Sequence, residues 1–140
     1  MVRALALAAL LGAGAACAAS GVAPAPDDFA GHLAELINDY RLRHGLGPLA
    51  ITDDLETLAS EHSVSMAERR QLSHDGFLTR FHRASSKVCV ENVGWNFRTP
   101  EGLFRGWRES PEHHRNLLEP KVERMGIAVD ERYVTFFACR

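Results

Sequence analysis

The 140-residue sequence has no CxxC pair, no HExxH, no GxSxG and no glycine-rich phosphate-binding loop. The motifs by which redox, zinc-peptidase, serine-hydrolase and nucleotide-dependent enzymes are most readily recognised are therefore absent. No charge excess is present either: sixteen Lys and Arg face eighteen Asp and Glu, a net charge of -2, with neither a basic stripe nor an acidic run. That balance argues against a nucleic-acid partner. No internal repeat occurs, and the longest apolar run, Ala4 to Leu11, falls short of the roughly 20 residues a membrane span requires. What is present is an ordinary one-domain composition, 46% hydrophobic and 24% charged, with one excess: seven histidines, partly clustered.

The beginning reads as an address. Met1-Val2-Arg3 is a short positive start, Ala4 to Leu11 an apolar stretch, and Gly12 to Ser20 a small-residue region. Together they predict a secretory signal peptide over residues 1–19, cleaved after Ala19 or Ala18. Cys17 opens a minority alternative, a bacterial lipid anchor, although Gly14 stands where such sites carry a Leu-like residue. Residues 20–26 read as a flexible spacer and residues 27–140 as one domain. After cleavage two cysteines remain, Cys89 and Cys139, each within a strand-like run. An exporting compartment and an even count favour a disulfide over two buried thiols. Closing that loop would contribute roughly 4 kcal/mol, mainly by restricting the unfolded chain.

Asp27 and Asp28 are placed to cap a helix whose apolar residues Phe29, Leu33, Leu36, Ile37 and Tyr40 recur at helical spacing, ending at Gly45. A second helix starts at Thr52 or Asp53, with Glu56 as capping-box partner of Asp53; its buried face holds Leu55, Leu58, Ala59, His62 and Met66. A short helix is expected over Leu78 to Arg83, and a strand over Lys87 to Trp95. Thr99-Pro100 and Ser110-Pro111 each open a helix, the second ending near Pro120. Met125 to Val129 and Tyr133 to Cys139 read as antiparallel strands around Asp130-Glu131-Arg132. Helices come first and strands later, without a βαβ rhythm, which predicts an α+β fold.

Three segments carry the functional information: Leu72-Ser73-His74-Asp75, Glu91-Asn92-Val93-Gly94, and Trp107 through Leu118 (WRESPEHHRNLL). In this order and at these separations they resemble the short bacterial branch of the CAP superfamily, the SCP-like extracellular proteins. Ile37-Asn38-Asp39-Tyr40-Arg41 and Gly47-Pro48-Leu49 add to the likeness. The resemblance implies an α-β-α sandwich and a cleft lined by two histidines and one or two acids. The matching positions are His74, Glu91 and His113. Longer members of the family place a further Glu three residues after the Trp, where this chain has Ser110, flanked by Glu109 and Glu112.

The same residues can be weighed by themselves. Glu91 sits in a strand between valines and shares a face with Cys89 and Val93. If that face is core, its carboxylate must be paired or strongly hydrogen-bonded; otherwise it is an exposed edge-strand Glu. His113, third residue of a helix capped by Ser110, lies at a partially positive helix end that keeps its ring neutral, and a neutral imidazole ligates metals or accepts protons. His114 points elsewhere, as a solvent-facing or supporting group, and Asn116 ties down a neighbouring loop; Asn92 adjoins the site. His74 lies in a loop, where an ordinary exposed histidine is the alternative. His62 reads as a satisfied core histidine, Trp107 as core, and Trp95 as cleft wall or core.

Three functions follow. The first is a secreted binding module: His74 and His113 hold a divalent metal, zinc by preference, or the cleft takes a small-molecule, lipid or peptide ligand. The second is a metal-dependent hydrolase with Glu91 as catalytic base, for which two histidines are one ligand short of the usual three. The third is a non-catalytic envelope protein.

Overall fold

A computed structural model describes residues 28–140. The expected signal peptide, spacer, Cys17 anchor and Asp27 cap lie outside those residues. The elements in chain order are α1 (Phe29–Arg43), β1 (Ala50–Ile51), α2 (Asp53–Arg69), α3 (Phe77–Arg83), β2 (Cys89–Trp95), α4 (Pro100–Glu109), α5 (Pro111–Leu117), β3 (Arg124–Asp130) and β4 (Tyr133–Cys139).

The strands form one sheet in the order β1-β3-β4-β2, with β1 parallel to β3 and the other pairs antiparallel. Central β4 is buried at every residue, and its alternation sends side chains into two cores. Val134, Phe136 and Ala138 join Leu33 and Ile37 of α1 and Leu103, Phe104 and Trp107 of α4. Phe137 and Cys139 join Leu55, Leu58 and Ala59 of α2, with Phe77 and Cys89 alongside. The result is the expected α-β-α sandwich: α1, α4 and α5 on one face, α2 and α3 on the other. Gly126 shows how tightly α2 seats on β3, because a Cβ there would come within 2.1 Å of the Leu55 backbone. Cys89 and Cys139, directly opposite across β2 and β4, are joined by a disulfide.

The periodic segments match to within a few residues, while several local details differ. β1 was not anticipated: Ala50 N–H donates to the Glu123 carbonyl (3.0 Å) and Thr52 N–H to that of Met125 (3.1 Å), a pairing created by distant chain. The Asp53–Glu56 capping box is absent. α2 begins one residue earlier than that box requires, with Thr52 at the cap position and Asp53 already helical. Asp28 and Ser110 occupy cap positions without a side-chain cap bond, whereas Thr99 Oγ1 accepts from Gly102 N–H as expected. The β3–β4 turn is the two residues Glu131-Arg132, with Glu131 left-handed at φ 49°. Among the described residues, no helix is long and apolar enough to cross a membrane.

Candidate functional site

Strand β2 lies at the edge of the sheet, and Glu91 occupies its middle with the side chain turned toward the α2–α3 layer. The residue is 5% exposed. A carboxylate so placed needs partners, and it has three. Arg80 of α3 grips it with two bonds, Nε to Oε2 (2.8 Å) and Nη2 to Oε1 (2.9 Å). His74, from the α2–α3 loop, donates from Nδ1 to Oε1 at 2.9 Å. His62 of α2 brings Nε2 within 3.7 Å of Oε1. Burial by itself would raise the Glu91 carboxyl, but the bonds from His74 and Arg80 and the charges of Arg80 and His62 hold it below the ordinary carboxylate range.

That ionised acid orients His74. A carboxylate only accepts, so Nδ1 carries the proton, and in the neutral ring Nε2 keeps its lone pair. His74 itself is half exposed. His62 is locked differently: its Nε2–H donates to the Ser73 carbonyl (2.8 Å), and burial first, then the Arg80 and His74 charges, push its pKa down against the pull of Glu91. It behaves as the satisfied core histidine expected from its helix face, while also backing the carboxylate.

The second imidazole arrives from the opposite layer. His113 is the third residue of α5, half-buried at a ring-centroid distance of 6.5 Å from Trp107. Burial is the main cause of its lowered pKa; the charge of His74 lowers it further, and Glu112 opposes. The two rings thus lie within electrostatic reach of one another although their layers differ. Asparagines make the join between α5 and β2. Asn92 Nδ2 donates to the His113 carbonyl (3.0 Å), and Asn116 Nδ2 donates to the Glu91 carbonyl (3.0 Å) and to Asn92 Oδ1 (2.9 Å). A cleft of about 310 Å³ opens at this edge, lined by His74, Phe77, Cys89, Val90, Glu91 and Asn116.

Other candidates fall elsewhere. His114 bonds through Nε2 to the Tyr40 hydroxyl (2.9 Å), fastening α5 to α1. Glu109, exposed at the end of α4, makes no side-chain hydrogen bond or ion pair among the described residues. The Ser110 carbonyl accepts from His114 N–H (2.8 Å). Trp107 is core, its Nε1 donating to the Val93 carbonyl (3.0 Å). Trp95 is half exposed at the far end of β2 against Tyr133, away from the cleft. Arg80 was missed by sequence reasoning. The available signal was the requirement that a buried Glu91 have a cationic partner, and α3 supplies it eleven residues upstream.

The donor set can be tested against a metal ion. His74 Nε2, with a carboxylate on its other nitrogen, has the carboxylate–histidine form common in metal ligands, and His113 is held neutral. Among the described residues, however, no three His, Cys, Asp or Glu side chains stand close enough to hold an ion together. A metal ion at this edge would therefore have at most the two imidazoles of His74 and His113 as ligands from the described residues.

Residues 34–139 match the Cysteine-rich secretory protein family, CAP, and the chain belongs to that family. It is 28% identical over 104 residues to the uncharacterized protein YkwD of Bacillus subtilis, a match covering 69% of this chain and 40% of that one. A cysteine-rich secretory protein structure from Staphylococcus aureus superposes with TM-score 0.74 at 26% identity, covering 83% of this chain and 40% of the other. An extracellular protein containing a SCP domain from Bacillus anthracis shares the fold at TM-score 0.75 and 24% identity, over 86% and 45% of the two chains. The chain spans about two fifths of the length of the curated relative and of the Staphylococcus protein.

Proposed function

We propose that this protein is an exported, non-catalytic binding module in which the cleft beside His74, which His113 does not itself line, takes a small polar, lipid or peptide ligand, with a divalent ion, zinc by preference, held between the two imidazoles. The observation that carries this reading is the state of Glu91. Both of its oxygens are occupied by Arg80 and His74, so it orients an imidazole rather than offering a free carboxylate to a water. A general base needs proton affinity near the working pH, and an arginine-clamped acid of lowered pKa has little. That ranks binding above the hydrolase reading. A bound divalent ion would supply a Lewis-acidic position for a ligand oxygen or nitrogen. Export is supported by the leader-like first nineteen residues and by the disulfide.

Calorimetry of the processed protein with Zn²⁺ tests the reading. Micromolar or tighter binding is expected, with His74→Ala or His113→Ala weakening it at least about tenfold, and Glu91→Gln by about 10–100-fold through loss of ring orientation. Absence of heat with the unaltered protein removes the metal. An ester and peptide panel, with and without zinc, addresses hydrolysis; turnover abolished by Glu91→Gln would restore the catalytic reading. The mass of the processed chain separates a start near Ser20 from acylation at Cys17.

A further inference from the structure

Edge strand β2 carries a second set of functional groups, in its backbone. The ladder determines which of them face outward. The Val88 carbonyl accepts from Arg140 N–H (3.0 Å), and Asn96 N–H donates to the Arg132 carbonyl (2.9 Å), both in register with β4. Even-numbered residues between them therefore turn N–H and C=O toward β4, and the odd-numbered Cys89, Glu91, Val93 and Trp95 turn theirs away, to the open margin. Two contacts agree: Asn116 reaches the Glu91 carbonyl and Trp107 the Val93 carbonyl from outside the sheet. The 4.1 Å Cα–Cα spacing of Cys89 and Cys139 is also that of a pair without mutual hydrogen bonds.

Helices α4 and α5 thus cover part of the margin and leave part open. Glu91 N–H and the Cys89 carbonyl have no hydrogen-bond partner among the described residues, although Glu91 is buried and buried backbone groups are ordinarily paired. They flank Val90, and all three residues line the 310 Å³ cleft with His74, Phe77 and Asn116. A donor and an acceptor two residues apart on one side of a strand match the carbonyl and N–H of one residue in an extended chain. A longer ladder with a second copy of β2 is disfavoured, because the Asn116 and Trp107 side chains already engage the Glu91 and Val93 carbonyls from that side.

We propose that the cleft binds an extended peptide by strand addition, one ligand residue bridging in parallel sense opposite Val90. Its N–H donates to the Cys89 carbonyl and its carbonyl accepts from Glu91 N–H. Its two neighbours then project toward the Glu91 face, beside Phe77 and His74, which suits apolar side chains. The inference rests on the reading of this cleft as the ligand site, and not on the metal.

The test is ¹H–¹⁵N NMR of the processed, zinc-free protein titrated to millimolar concentration with the blocked peptide Ac-Ser-Leu-Ala-Leu-Ser-NH2, and with the same peptide N-methylated at its central alanine. Glu91 N–H is expected to move downfield, with the largest shift in β2, and N-methylation to weaken binding about tenfold, as removal of a main-chain hydrogen bond does. A stationary Glu91 amide at the highest peptide concentration, or equal affinity for the N-methylated peptide, overturns the proposal. A parallel zinc titration, read at the histidine rings, keeps the two ideas apart. Zinc binding without peptide binding overturns strand addition alone; peptide binding without zinc overturns the metal alone.

Discussion

Two arginines, one in each helical layer, are almost sealed from solvent: Arg41 of α1 at 2% exposure and Arg80 of α3 at 6%. Their partners differ in kind. Arg41 donates only to backbone carbonyls, from Nε to Gly47 (3.0 Å) and from Nη1 to Leu117 (2.9 Å) and Glu119 (3.0 Å). It clips together the end of α1, the turn before β1 and the end of α5, the helix that carries His113. Arg80 spends two bonds on the Glu91 carboxylate and a third on the Asp75 carbonyl (2.8 Å). It makes a buried, ionised acid tolerable, and that acid aims His74. One arginine positions a backbone and the other sustains a charge, and the candidate site is where the two layers meet around the margin of β2.

The largest effect is expected from breaking the charged pair. Arg80→Ala strands the Glu91 carboxylate and should cost about 3–5 kcal/mol in urea denaturation. A loss below about 1 kcal/mol would mean that the pair does not sustain the site. Replacing both partners with apolar residues, Arg80→Met with Glu91→Leu, should recover most of that stability while zinc affinity stays depressed. Arg41→Ala should cost less, about 2–3 kcal/mol, because carbonyls left behind are neutral. Its mark on the site should be a displaced His113 ring resonance in NMR with the His74 resonance little changed. If His74 moves as much, the two arginines are not separable in function.

The smallest effect is a pH dependence. His62 and His113 have folded pKa values below the ordinary histidine value, chiefly through burial. The unfolded chain therefore binds protons first as the pH falls. Stability should be flat above about pH 7 and decline below about pH 6.5, with Glu91 adding a further loss below its unfolded value near 4.5. Substituting His113 with Phe should flatten the first decline in thermal melts across pH 5–8; an unchanged slope would show that its ring is not held neutral.

Much of this was legible along the chain. Helical periodicity placed α1 and α2, the Ser/Thr-Pro pairs placed α4 and α5, and alternation placed β2 and put Glu91 on the same face as Cys89 and Val93. The capping box was not realised, since a one-residue difference in where α2 begins turns a cap into a helical residue. Two-residue β1 had no pattern of its own to read, existing only through hydrogen bonds to Glu123 and Met125. Asn116 was read as a tie, and it is one, but its partners on β2 lie 24 and 25 residues away and could not be named.

Local composition by itself determined the elements other than β1 and the shared face of Glu91 and Cys89, because these depend on periods and neighbours of a few residues, whereas the His113 ring is kept neutral chiefly by its burial in the fold. Tertiary structure alone decided that Arg80 would be the partner of Glu91, that Trp95 would stand away from the cleft, and that Glu91 N–H would face the open margin of β2. Those outcomes depend on which strand ends at the edge of the sheet and on which helix lies across it, and both are set by contacts between residues far apart in the chain.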